Sequence, residues 1–366
     1  MIKKDKKSKK KRRKLEKNVK YIIIVDGGQK YCAKRGNKTM NKRFKKLTTT
    51  ISVALLTAGL VMGNVVSANA AIYEQYSPIG EVKKSVAYKN YGEFFGDVEL
   101  SSNKSFVVPG LSSDMVPQGM CEVGNYILIS AYDSTKSKNS CIHVIDKQTG
   151  KQVKTLYIKG SKTHVGGLTY DGNYVWLANS GGKNVGRIKA SNITGSNVKD
   201  GATISFEFFS TKDLKGNKIT ASFATYYQNT LWVGQFNETG DSYVYGYSVG
   251  KSPLTVKYSV KIPKKIQGMA FLSDGRVVLS QSYGRNNDSK ILVYNKPSYS
   301  SKNGVQHATL SNAAKTIKAP PMTENIHVGS DGLVYVLFES GAKYYYKDAN
   351  NRGKAPVDRV LALRVK

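Results

Sequence analysis

The stretch VGNYILISAY, Val123–Tyr132, has four counterparts along the chain: DGNYVWLANS from Asp171, YQNTLWVGQF from Tyr227, DGRVVLSQSY from Asp274 and DGLVYVLFES from Asp331. Each joins a Gly/Asn/Asp turn to a run of β-branched and aromatic residues, the pattern of a strand entered from a tight turn. A short segment, read as having a small residue near its middle, precedes each one: PQGM at Pro117, HVGGL at His164, ASFAT at Ala221, IQGMA at Ile266 and ENIHV at Glu324. After the first four come CIHVI from Cys141, VGRIKA from Val185, YVYGYSV from Tyr243 and KILVYN from Lys290. Fourth elements follow as VKTLYI from Val153, ISFEFF from Ile204, KYSVKI from Lys257 and AKTIKA from Ala314. Four strands recurring roughly every 50 residues predict a β-propeller of four-stranded antiparallel blades.

The ends of the chain set the blade number at five. The fifth repeat has a third strand, DRVLALRV from Asp358, and no fourth, whereas KSFVVPG from Lys104 stands ahead of the first repeat without a blade of its own. Donating that N-terminal strand to the last blade closes the ring and removes two open sheet edges. The propeller therefore spans 104–366, with 71–103 as an N-terminal extension whose aromatics suit packing on its side.

Of 366 residues, 57 are Lys or Arg and 25 Asp or Glu, a net charge of +32. Such charge suggests a nucleic-acid or membrane-surface partner, but it is unevenly placed: residues 1–70 hold 20 of the basic and 3 of the acidic residues. From Met40, a basic segment (Lys42, Arg43, Lys45, Lys46) leads into an uncharged apolar run, Ile51–Val66, and then Ala68-Asn69-Ala70. This is the layout of a signal peptide cleaved after Ala70 over 40–70; retention as a signal anchor is the alternative. Residues 1–39, with the run KKDKKSKKKRRK, then lie upstream of Met40 as the expected initiator. The expected product is a secreted protein, a monomer, free of the membrane after cleavage and without a nucleic-acid partner. Its remaining basic surface would favour loose, salt-sensitive adhesion to anionic cell-wall polymers. Cys121 and Cys141 fall on non-adjacent strands near opposite ends of one blade, too far apart for a disulfide.

Propellers collect ligands where inner strands begin and second strands end. Gln118, His164 with Gly166, Ser222, Gln267 and Glu324 stand at the first position, and Tyr132, Asn179, Gln235, Gln281 and Glu339 at the second. Phe236, Tyr283 and Tyr344 surround them. Amides that donate and accept, beside aromatic faces, suit a polar small molecule, glycan or peptide. The expectation is accordingly a binding protein rather than an enzyme, with Gln118, Tyr132, His164, Asn179, Gln235, Gln267 and Gln281 as ligand-binding candidates. Equally, strand-initiating polar groups can serve only to satisfy buried backbone and channel water. Glu324 and Glu339 come from adjacent strands of blade five and are the catalytic candidates, since paired carboxyls divide into acid and base in glycoside hydrolysis. A third alternative is a cell-wall-associated structural protein. No metal is expected from the spacing of the four histidines. No cofactor is expected either, although DSTKSKNS from Asp133 and NNDS from Asn286 offer oxygen ligands of the kind calcium takes.

The repeats resemble the secreted bacterial propellers grouped as YncE-like and gluconolactonase-like proteins, over residues 104–366. That resemblance implies the fold; the metal ligands expected of gluconolactonases have no counterpart here. Gln118-Gly119-Met120, Ser130–Tyr132, Ser140 and the turn Asp146–Gly150 are also similar to the opening blade of the five-bladed glutaminyl cyclases, over about 35 residues. This second resemblance implies a cyclotransferase acting on N-terminal glutaminyl peptides. The acidic residue and indoles of that family have no counterpart, because Trp176 and Trp232 fall mid-strand and read as blade core.

Overall fold

The structure, a computed structural model, describes residues 21–26, 29–34, 82–101, 103–250, 254–346 and 352–366. The basic run at the start, the expected initiator Met40 and the expected cleavage point after Ala70 lie outside them. The chain divides into two units, 1–69 and 70–366. In the first, β1 (Tyr21–Asp26) pairs antiparallel with β2 (Gln29–Lys34). In the second, two short helices, α1 (Val86–Asn90) and α2 (Gly92–Gly96), precede a five-bladed β-propeller.

Blade one runs outward as β3 (Met115–Val123), β4 (Tyr126–Asp133), β5 (Cys141–Asp146) and β6 (Gln152–Ile158). Blade two has β7 (Gly167–Tyr170), β8 (Tyr174–Asn179) and β9 (Asn184–Lys189), followed by α3 (Ser191–Thr194). The predicted fourth element of this blade, ISFEFF, is split. Its first part, β10 (Thr203–Ile204), joins blade one parallel to β6, and β11 (Glu207–Ser210) completes blade two. Blade three comprises β12 (Phe223–Tyr227), β13 (Thr230–Gly234), β14 (Ser242–Ser248) and β15 (Thr255–Ile262). Blade four comprises β16 (Ile266–Phe271), β17 (Val277–Gln281) and β18 (Ser289–Tyr294), then an insert, then β21 (Lys315–Ala319). The insert forms β19 (Ser300–Lys302) and β20 (Val305–Thr309), which extend blade three rather than blade four. Blade five has β22 (Thr323–Val328), β23 (Val334–Phe338) and, after α4 (Lys343–Tyr346), β24 (Leu361–Leu363).

The N-terminal segment does close the ring, as a broken strand. Val107 pairs with Arg359 and Val98 with Leu363, both antiparallel. Val108 N–H donates to Asp358 O (3.0 Å), Val360 N–H to Phe106 O (3.1 Å), Glu99 N–H to Ala362 O (2.8 Å) and Arg364 N–H to Asp97 O (2.8 Å). Pairing thus begins at Asp97, ahead of the Lys104 boundary drawn from the sequence.

Five apolar clusters lie in the five seams between blades, because each sheet is apolar on both faces. Trp176 sits in the blade two–three seam and Trp232 in the blade three–four seam, as core. The inner strands pack side by side around the axis. Their small residues make this possible. A Cβ on Gly166 would stand 2.0 Å from Ser222 O, and one on Gly119 would stand 2.7 Å from the Cα of Gly167. In blade five Asn325 takes the glycine's place and accepts from Met120 N–H at 3.3 Å. Cys121 and Cys141 are free and buried on β3 and β5, with β4 between them.

Candidate functional site

The polar residues that begin the inner strands reach the axis through backbone irregularities. Strand register shifts between Pro117 and Gly119, between Ile266 and Gly268, and between Thr323 and Ile326. A bulge of this kind leaves its extra residue out of the ladder and re-aims the side chain; here the residues left out are Gln118, Gln267 and Glu324 with Asn325. Gln118, Gly166, Ser222, Gln267 and Glu324 give one residue per blade to a cavity of about 240 Å³, whose wall also includes His164, Ser180, Phe236, Glu339 and Tyr345.

A hydrogen-bonded chain orders one side of this cavity. His164 Nδ1 lies 2.9 Å from Gln118 Oε1. An amide oxygen only accepts, so the imidazole donates there and keeps its lone pair on Nε2. Gln118 Nε2 donates to Pro117 O (2.9 Å) and Glu339 Oε2 (3.4 Å), and the Tyr345 hydroxyl donates to the same Oε2 (2.8 Å). Tyr132 stands behind His164, its ring stacked on the imidazole at 4.0 Å. Burial, helped by the charge of Lys136, pushes His164 below its ordinary value and holds it neutral at pH 7.

The two glutamates sit in contrasting settings. Glu324 is 8% exposed, and burial together with the neighbouring Glu339 carboxylate holds its carboxyl well above the usual range. The shift favours its protonated form, which can donate a hydrogen bond. Burial raises Glu339 to about 7, against the hydrogen bonds from Tyr345 and Gln118 and the charge of Arg285. The Arg285 guanidinium lies over the Tyr345 ring, 5.0 Å from its centroid. Lys343, another basic residue of blade five, is paired with Asp114 (3.3 Å). The carboxyls thus offer one proton donor and one group that changes state near neutrality.

Several sequence candidates stand outside the cavity wall. Asn179 bonds Asn184 (2.9 Å) and Thr163 (3.3 Å), Gln235 accepts from Thr220 N–H (3.4 Å), and Gln281 donates to Lys264 O (2.9 Å). These second-strand amides fix their own loops. Tyr344 is exposed, and its neighbour Tyr345 takes the inward place. Both lie on α4, where the alternation of a strand no longer decides which side chain turns inward. Tyr283 stacks on Phe236 at the rim (6.4 Å), with Lys265 4.6 Å from its ring centroid.

Among the described residues no three His, Cys, Asp or Glu side chains gather closely enough to hold a metal ion. In the two loops read as calcium-like, the carboxylates already have protein partners. Asp133 accepts from the Thr135 and Ser137 hydroxyls and from the Thr135 and Lys138 N–H groups, and Asp288 from Tyr91, Lys318 and Lys354. No described helix is long and apolar enough to cross a membrane.

No family model and no curated protein matches the sequence. Among solved structures, the chain is similar to Myxococcus xanthus glutaminyl cyclase at 9% identity and a TM-score of 0.42, covering 71% of this chain and 94% of that one. It is similar to the same degree to the PQQ-bound aldose sugar dehydrogenase of Streptomyces coelicolor, at 12% identity and a TM-score of 0.42, covering 72% and 98%. With the Cps50 (Swd1) β-propeller domain of Myceliophteria thermophila it shares 8% identity and a TM-score of 0.32, over 62% of each chain.

Proposed function

We propose that this chain is an exported propeller that binds a polar ligand, a glycan or a peptide, in its axial cavity. The observation that carries the reading is the convergence of one inner-strand residue from every blade on a single cavity, with His164, Gln118, Glu339 and Tyr345 fixed in one hydrogen-bonded chain. Such preorganisation lowers the ordering cost of binding. The Glu324 carboxyl and the Gln267 amide add polar groups beside it. Adhesion of the basic exterior to anionic wall polymers would add to this binding and fall steeply with salt.

The test is a binding screen of short peptides and oligosaccharides, read from the imidazole NMR signals of His164. A ligand of the cavity shifts those signals, and Gln267→Ala and Glu324→Gln each weaken it by about tenfold or more, the cost of one lost buried hydrogen bond. Ligands that leave the His164 signals unmoved, or bind both variants normally, overturn the reading.

The glutamate pair favours a second reading, acid–base catalysis, since the Glu324 carboxyl is displaced toward its protonated form beside Glu339, which burial raises to about 7. Hydrolysis of aryl glycosides and cyclisation of an N-terminal glutaminyl peptide are its two assays. Turnover that disappears in Glu324→Gln and Glu339→Gln would replace the binding reading with an enzymatic one. Export is tested by sequencing the protein recovered from culture medium, where the expected N-terminus is Ala71.

A further inference from the structure

The blade-four insert creates a groove that the axial site does not use. Between β18 and β21 the chain leaves its own blade and lays β20 parallel to β15, on the outer edge of blade three. Two cross-strand rows result on one face. Tyr245, Ser259, His307 and Ser300 form the first, and Tyr243, Lys261 and Thr309 the second. With Ser298 and Tyr299 from the arriving chain, these rows, apart from the buried Tyr245, line an open groove of about 470 Å³, larger than the axial cavity and within the range of small-molecule sites.

The chemistry of the lining narrows the occupant. Ser259, Ser298, Ser300 and Thr309 carry hydroxyls, each able to donate and accept. Tyr243 is 41% exposed and nearly parallel to Tyr245, at 6.0 Å between centroids, so an aromatic platform faces solvent. Lys261 is paired with Asp241 at 3.0 Å, which cancels its charge at the wall. Hydroxyls, a solvent-facing ring and a compensated cation match a ligand rich in hydroxyls and C–H faces and without net charge. We propose that this groove is a second binding site, for a neutral oligosaccharide segment, independent of the axial cavity.

The experiment uses the purified protein carrying Gln267→Ala and Glu324→Gln, which disables the axial cavity, and calorimetric titration with cellohexaose, xylohexaose, chitohexaose and, as an anionic control, polygalacturonate. At least one neutral probe is expected to bind. Adding Tyr243→Ala weakens it by about tenfold, while Tyr243→Phe, which keeps the ring, leaves it within about twofold. Tyr243 is exposed, so an unchanged melting temperature accompanies both changes. Three results overturn the proposal. The neutral probes bind the wild type but not the axial double variant, which assigns them to the axial cavity and leaves that reading standing. Polygalacturonate alone binds. No probe binds, which removes the groove without touching the His164 signals that test the axial site.

Discussion

At the scale of single residues, the bulged inner-strand positions join structure to chemistry. Gln118, Gln267 and Glu324 were legible because each directly precedes the small or polar residue that lets inner strands approach the axis. Asn179, Gln235 and Gln281 have the same side-chain chemistry but are spent on neighbouring loops, and no local pattern distinguishes the two uses. Glu324 gives the sharpest prediction at this scale. Its carboxyl is displaced upward in the folded protein, so the native state holds more protons than the unfolded one above the ordinary carboxyl value. Stability therefore falls as pH rises through that window, and for Glu339 the fall extends to about 7. Glu324→Gln removes one of the two groups concerned. Its melting temperature should match the wild type near pH 5 and exceed it near pH 8. Thermal unfolding followed across that range checks this, and an equal difference at both ends would contradict the buried-acid assignment.

At the scale of elements, propensity and turn chemistry foretold most strands, and the exceptions share a physical cause. ISFEFF was read as one strand, yet Ile204 pairs with Ile158 of blade one whereas Phe208 pairs with Gly186 of blade two. Periodicity reports that a segment is extended, not which edge accepts it. The same limit hid β19 and β20, whose sequences, SSK and VQHAT, show no alternation of apolar and polar residues. Helices α1 and α2 are too short to persist alone. They are held by Phe94, fully buried in the blade four–five seam and edge-on to Phe338 at 6.2 Å. Tyr91 adds a hydrogen bond of 2.6 Å to Asp288. Phe94→Ala should cost about 3–5 kcal/mol in a urea titration. A loss below about 1 kcal/mol would mean that these helices contribute little to the fold.

At the scale of the whole molecule, the repeats and the unpaired end strands were enough to give the ring, because a propeller's closure is visible as an unbalanced strand at each terminus. Charge was informative only once divided along the chain. The cysteines give a prediction here: Cys121 and Cys141 are separated by β4, so melting is unchanged by reductant, and both thiols are alkylated only after unfolding. The broken closing strand carries a kinetic consequence. Val107 and Arg359 are 252 positions apart in the chain, 359 less 107, and they are direct partners. Joining chain ends across such a loop costs about 5 kcal/mol of entropy before any contact repays it, and contacts this distant in sequence slow folding. Each of the first four blades draws its four main strands from one local stretch of chain, whereas the last must wait for the C-terminus. The seam between Asp97–Val108 and Asp358–Arg364 is then the last part of the ring to form and the first to open.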